Sequence, residues 1–128
     1  MSYNTRLYGQ IDIVPDFETL GSVPKFDSVK LENRTELRHP HDMYAPVRTV
    51  IGAISADAPE WVDQDIVAAD LTAIVDYIAA KEPDTKFVGY LEGSGAEPDD
   101  RWRAYIVDSK VVFVEPEIVW PGAPDAAA

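Results

Sequence analysis

The sequence has 128 residues, 46% of them hydrophobic, and a formal net charge of −12. This length predicts one domain, and this share of apolar residues is typical of a folded globular protein rather than a disordered chain. The chain has no cysteine, which excludes disulfides, thiolate metal sites and cysteine nucleophiles. The first residues lack the layout of a secretion signal, and no apolar run reaches the roughly 18 residues that span a membrane. We therefore expect a cytoplasmic protein that does not bind membranes.

The negative charge is concentrated in the middle of the chain. Residues 57 to 100 contain 12 acidic residues against two basic ones, Lys81 and Lys86. Direct binding to nucleic acid is not expected, because phosphate contacts need clustered lysine and arginine. A basic protein partner and simple solubility are both compatible with this acidic segment, and the sequence leaves the two open.

The first half of the chain predicts three strands. Residues 5–14 alternate apolar and polar side chains, which indicates a half-buried strand that Pro15 ends. Glycine and proline punctuation predicts a loop over residues 16–25. A short strand is expected at residues 27–33, and the β-branched run over residues 47–56 favours a central strand.

The next segment predicts the principal helix. Apolar residues recur at spacings of three and four, as on a helix that lies on a sheet: Val67, Leu71, Ile74 and Ile78. Asp63 or Asp65 is the expected N-cap, and Pro83 is expected to end the helix after Lys81. The stretch that begins at Asp57 is expected to form the first turn of this helix or a short turn before it.

The last third predicts a meander of three strands, at residues 86–92, 101–108 and 110–120, with an acidic loop over Gly93–Asp100 and a tight turn at Asp108–Ser109. We expect Trp102 and Ile106 to share the core with Phe87, Leu71 and Ile74, and we expect Val112, Val114, Ile118 and Trp120 to share one face, with Val112 and Val114 in that core. Residues 1–121 are predicted as a single domain, and residues 122–128 as a flexible C-terminal tail.

This order of elements predicts an α+β fold: a mainly antiparallel sheet of about five to six strands with one principal helix packed on one face. One helix cannot cover a sheet of that width. The other face of the sheet is therefore expected to be solvated, curved on itself or covered by a partner.

His39, His41 and Asp42 form the one group with metal-ligand chemistry, and they support the hypothesis of a small metal-dependent enzyme. The chain has no other histidine, and Asp42 would face away from both imidazoles in an extended segment. Glu36 is the nearest further ligand. Because the set is incomplete, and because the sequence has no nucleophile elbow, phosphate loop or dinucleotide fingerprint, we expect no metal, no cofactor and no enzymatic activity.

The acidic loop and the strand after it form the candidate partner-binding site. Its members are Glu97, Asp99, Asp100, Arg101 and Arg103. Adjacent carboxylates in a glycine-containing loop are typical of a solvated turn rather than an acid–base pair, which needs two carboxylates on facing surfaces. We therefore expect these residues to contact a protein partner and to have no catalytic role.

Two segments carry a resemblance to a known family: FVGYLEGSGAEPDDRWRAYIVDSKVVFVEPEIVWP at residues 87–121 and TRLYGQIDIVP at residues 5–15. They are similar to a family of small uncharacterised proteins of actinobacteria and their phages. That family has no known activity, so no functional residue transfers. The resemblance implies a phage or prophage origin. The uncovered sheet face and the acidic segment lead to the hypothesis of a non-enzymatic binding protein, which in a phage would act on a host protein. The same uncovered sheet or its edge strands also allow a structural component of a virion or other assembly, homo-oligomers included.

Overall fold

The structure is a computed structural model that describes residues 4–20, 23–37, 48–58, 61–96 and 100–117. Within these residues there are seven strands and one helix. In chain order they are β1 (Asn4–Leu20), β2 (Val29–Leu37), β3 (Arg48–Ala56), β4 (Val62–Asp63), α1 (Gln64–Ala79), β5 (Lys86–Ser94), β6 (Arg101–Val107) and β7 (Lys110–Val114).

The strands form one sheet in the order β2-β3-β1-β5-β6-β7, and β4 pairs with the start of β1. Every pairing between these strands is antiparallel, which confirms the predicted α+β class with one helix. The predicted number of five to six strands is too low. Val62 and Asp63, which were expected in the approach to the helix, pair with Thr5 and Asn4 and form a seventh, two-residue strand.

Strand β1 continues through Pro15 instead of ending there. Its pairing with β3 shifts register between Asp12 and Phe17, so Pro15 lies in a β-bulge, where no ladder hydrogen bond is needed from its nitrogen. The Val14–Pro15 peptide bond is cis. Phe17 is buried beyond the bulge. The prediction of a loop is therefore wrong for residues 16–20.

Helix α1 begins and is oriented as its sequence predicts. The Asp63 carboxylate caps it and accepts a hydrogen bond from the Asp65 backbone nitrogen at 2.9 Å. All four members of the predicted apolar stripe are fully buried: Val67, Leu71, Ile74 and Ile78. They join one hydrophobic cluster with the inward side chains of the strands, so the core lies between the helix and the sheet.

The sheet curves around α1. The backbone nitrogen and the hydroxyl of Ser28, just before β2, donate to Asp70 of the helix at 2.8 and 2.5 Å. The same helix also contacts β7, at the opposite end of the strand order. Strands lie about 4.8 Å apart, so a flat path of six strands is about 24 Å wide, whereas a helix is about 10–12 Å in diameter. Contact with both ends therefore requires a curved sheet with its concave side toward the helix.

The β6–β7 hairpin turns a different set of alternate side chains of β7 toward the core than the sequence predicts. Asp108 and Ser109 have φ of 50° and 64°, the signature of a two-residue type I′ turn. This turn pairs Ile106 with Val111 and Ala104 with Phe113. Because paired residues lie on the same side of a sheet, Val111 and Phe113 pack against the core.

The expectation that Val112 and Val114 lie in the core is therefore wrong, and both are exposed. Trp102 and Ile106 are buried as predicted, and Phe87 packs against the same cluster. Ile118, Trp120 and the predicted tail over residues 122–128 lie outside the described residues. Within the described ranges, no helix is both long and apolar enough to cross a membrane.

Candidate binding face

The convex side of the sheet presents a continuous surface built from four strands. We call it the outer face. It consists of the outward residues of four strands: Arg6, Tyr8, Gln10, Asp12 and Val14 of β1; Lys86, Val88, Tyr90, Glu92 and Ser94 of β5; Arg101, Arg103, Tyr105 and Val107 of β6; and Lys110, Val112 and Val114 of β7. The pairing register joins these residues across β1, β5, β6 and β7. The residues between them point to the core or approach the neighbouring backbone, as strand alternation requires.

Exposed hydrophobic side chains are concentrated on the outer face. Val88 is 55% exposed and Tyr8 51%, although both belong to strands with buried partners on the other side. The exposed large apolar residues of this face are Tyr8, Val14, Val88, Tyr90, Val107, Val112 and Val114, and two others described, Trp61 and Ile66, lie elsewhere. The strand register places Tyr90, Tyr105 and Val112 side by side, and an exposed apolar cluster of this kind is a candidate interaction surface.

A stacked group of four side chains occupies the middle of the outer face. Tyr90 and Tyr105 approach to 5.4 Å between ring centroids, and the Arg103 guanidinium lies 4.3 Å from the Tyr90 centroid. Arg103 also donates to Glu92 at 3.1 Å. Hydrogen bonding to Tyr105 and then to Glu92 raises the pKa of Arg103, whose guanidinium is charged like that of any arginine. The group thus places a cation over the Tyr90 ring and in hydrogen-bond contact with Tyr105.

A second arginine–aromatic pair lies at the corner of the outer face. Arg6 stacks on Trp61, with 5.1 Å from its guanidinium carbon to the ring centroid. Trp61 is 48% exposed and directly precedes β4, which pairs with the start of β1. The short strand β4 therefore places an exposed indole beside the first outward residue of β1.

The convex side is polar where it continues onto β2 and β3. Ser55 of β3 donates to Glu32 of β2 at 2.6 Å, and Lys30 lies 3.6 Å from the same carboxylate. The hydrogen bond from Ser55 is the main cause that lowers the pKa of Glu32, followed in the same direction by the nearby Lys30 charge. Among the side chains described in the sheet, the exposed large apolar ones therefore all lie on β1, β5, β6 and β7.

Two cavities border the outer face at opposite ends of its strands. One, of about 300 Å³, is lined by Arg101, Arg103, Val114 and Pro116, among others. The other, of about 540 Å³, lies between Pro83 and the β6–β7 turn and is lined by Val88. Both are open depressions that continue the outer face, so they can receive side chains of a partner but do not enclose a small molecule.

The predicted partner-binding residues fall into two groups. Arg101 and Arg103 lie on the outer face, whereas Asp100 is half-buried at the base of its loop, where its carbonyl accepts from Gly95 at 2.7 Å. Glu97 and Asp99 lie outside the described residues, and their predicted role stays a prediction.

The metal hypothesis also stays a prediction. His39, His41 and Asp42 lie outside the described residues, and the side chain of Glu36 is likewise not described.

Sequence reasoning missed the aromatic members of this face, Tyr8, Tyr90 and Tyr105. A signal for them existed, because the burial of Trp102 and Ile106 on one side of β6 places Tyr105 on the other. What the strand pattern did not contain is the pairing order that brings residues 8, 90 and 105 onto adjacent strands.

Comparison with family models, with curated proteins and with solved structures finds no match to this chain. The resemblance to small proteins of actinobacteria and their phages therefore stays a prediction.

Proposed function

We propose that this chain is a non-enzymatic binding protein that engages a protein partner through the outer face. The observation that carries the proposal is the stacked group of Arg103, Tyr90 and Tyr105 at the centre of an exposed apolar surface. Tyrosine, tryptophan and arginine dominate the binding energy of protein interfaces, because each combines a large contact area with a polar group.

The arrangement favours a protein partner over a small molecule. The surface is a broad convex face with shallow depressions at its ends, whereas small-molecule sites are concave and bury most of their ligand. The rings and Arg103 are already held in place by one another, so little side-chain entropy is lost when a partner covers them. The surrounding valines are β-branched and stiff, which adds to this preorganisation.

The resemblance to phage proteins supplies the biological setting of the proposal. In that setting the partner is a host protein whose activity the chain modulates. A second candidate is a structural role in a virion or another assembly, in which further copies or other assembly components cover the same face. An exposed sheet surface is compatible with host-protein binding and with a structural role. The two differ in the protein that covers the face, which cross-linking identifies.

Site-specific photo-cross-linking in the cells that naturally produce the chain tests the proposal. A benzoyl-phenylalanine at position 90 probes the outer face, and the same residue at position 72 is the matched control. Thr72 is exposed on α1, on the other layer of the molecule. We expect position 90 to yield a discrete adduct with another protein, and position 72 to yield none of that mass.

The mass of the adduct identifies the class of partner. A heterologous adduct that disappears when Tyr105→Ser and Val112→Ser are added supports the proposed function. An adduct of two copies of the chain favours the assembly role instead. Equal labelling from positions 90 and 72, or no protein adduct from position 90, overturns the proposal that the outer face binds a protein.

A further inference from the structure

The outer face has the opposite charge to the rest of the molecule. It presents five basic side chains, Arg6, Lys86, Arg101, Arg103 and Lys110, against two acidic ones, Asp12 and Glu92. The chain as a whole has a net charge of −12. The residues outside the face therefore hold all of the net negative charge, and the face is a net positive surface on an acidic molecule.

Both acidic side chains of the face are engaged by neighbours on the same face. Arg103 donates to Glu92 at 3.1 Å, and the Gln10 amide donates to Asp12 at 2.8 Å. Lys86 and Lys110, by contrast, form no ion pair with another described residue. Both lysines are exposed and available to an incoming charge.

Acidic residues do stand at the margins of the face, in turns rather than on its strands. Asp84 and Asp108 line the larger cavity, and Glu115 and Glu117 line the smaller one. The smaller cavity also contains Arg101 and Arg103, and the larger one contains Lys86, so each end of the face combines cations with acids. A partner must therefore place its charges to match both signs, which favours a specific partner over a uniform polyanion.

We propose that the partner presents carboxylates among apolar side chains, so that an acidic protein segment covers the outer face. The inference rests on the proposed function and adds the chemistry of its partner. Carboxylates would meet Lys86, Lys110 and Arg101, while apolar groups of the partner would cover the tyrosines and valines between them. Arginine suits carboxylates in particular, because its planar fork binds both oxygens.

A single-stranded nucleic acid is the rival anion, and the observations favour it less. Such ligands need a basic groove along the backbone with an aromatic platform for successive bases. The outer face is convex rather than grooved, and two of its three tyrosines, Tyr90 and Tyr105, already pack against each other, with Arg103 over the Tyr90 ring. A phosphate chain would also approach against the net charge of the whole molecule.

Amide chemical shifts of the ¹⁵N-labelled full chain, titrated with defined probes, test the inference. The probes are a random copolymer of glutamate and tyrosine, a copolymer of lysine and tyrosine of matched length, and an oligothymidylate. We expect the glutamate–tyrosine copolymer to shift amides of β5, β6 and β7 around Tyr90 and Val112. The other two probes should leave those amides unchanged.

Charge-reversal variants provide the matched comparison. Lys86→Glu with Lys110→Glu removes two cations from the outer face, and Lys25→Glu with Lys81→Glu makes the same change in net charge elsewhere on the surface. The first pair should weaken the glutamate–tyrosine copolymer at least about tenfold relative to the second pair. Thermal melts of both variants check that each remains folded.

Three results would overturn the inference. Equal affinity of the two double variants would show that the outer-face lysines do not meet the partner's charge. Shifts of the outer-face amides by the lysine copolymer would show that the face prefers a basic partner over the acidic one inferred. The proposed function itself, that the face binds a protein, would still stand, because the cross-linking experiment tests it separately. Shifts by oligothymidylate instead of the acidic copolymer would replace the protein partner with nucleic acid.

Discussion

The absence of a side chain at Gly93 makes room for Trp102, the buried aromatic residue of β6. Gly93 of β5 pairs with Trp102, and a Cβ atom on Gly93 would overlap the indole ring. The glycine thus lets the indole lie directly over the neighbouring strand. Trp102 then packs edge-on against Phe113 of β7, with 5.3 Å between ring centroids. One glycine therefore permits a contact that joins three strands beneath the outer face.

Replacing Gly93 by alanine should destabilise the protein by about 1–3 kcal/mol, the usual cost of overpacking a filled core. The cost should fall in a Trp102→Leu background, because the clash is with the indole, and a double-mutant cycle in urea measures this coupling. Ser94→Ala, on the neighbouring residue that faces outward, is the control and should change stability by less than about 0.5 kcal/mol. Equal costs of Gly93→Ala in both backgrounds would mean that the clash lies elsewhere.

At the scale of elements, α1 shows how a sequence can determine both the position and the orientation of a helix. Its cap, its apolar stripe and its end are local features within about 20 residues, and the helical period allows only one buried side. Leu71 is the central member of that stripe and is fully buried against the sheet.

Leu71→Ala should therefore cost about 2–5 kcal/mol in free energy of unfolding, through lost burial and the cavity left behind. Thr72→Ala, one residue along on the exposed side of α1, is the matched control and should cost less than about 0.5 kcal/mol. Urea denaturation followed by circular dichroism measures both. A loss below about half a kcal/mol for Leu71→Ala would show that the helix does not pack on the sheet in solution.

Strand β7 illustrates what the local pattern could not determine. Its sequence KVVFV is apolar in both alternating phases, so either Val112 with Val114 or Val111 with Phe113 satisfies a period of two. The choice is made by the two-residue turn at Asp108 and Ser109, whose geometry fixes the register with β6. The sequence predicts the end of β1 too early, at Pro15, for a related reason. A bulge depends on the partner strand and not on local propensity.

At the scale of the whole molecule, the candidate site is a product of strand order. Arg101 and Arg103 were identified from their own segment, but Tyr8 comes from the opposite end of the chain and reaches the same face only through the β1–β5 pairing. Trp61 reaches its corner through β4, a strand of two residues with no periodic signal. Non-local pairings of this kind leave no trace in the composition of a single strand.

The net charge of −12 has a consequence for the stability of the whole fold. A chain of this length folds to a radius of gyration of about 14 Å, whereas the Debye length is about 30 Å at 0.01 M salt and about 8 Å at 0.15 M. At low salt the acidic groups therefore repel one another across the entire molecule, and the expanded unfolded chain relieves that repulsion. Exposed ion pairs such as Lys30–Glu32 and Arg103–Glu92 oppose this effect weakly, because exposed pairs contribute little.

We therefore expect the melting temperature to rise with sodium chloride between about 0.01 and 0.15 M, over the range in which the Debye length becomes shorter than the molecule. The Lys86→Glu, Lys110→Glu variant should melt lower than the parent at low salt and should gain more on salt addition, because it adds four negative charges to the imbalance. Calorimetric scans of both proteins at the two salt concentrations provide the measurement. A melting temperature that falls with salt in the parent would mean that local ion pairs outweigh the overall repulsion.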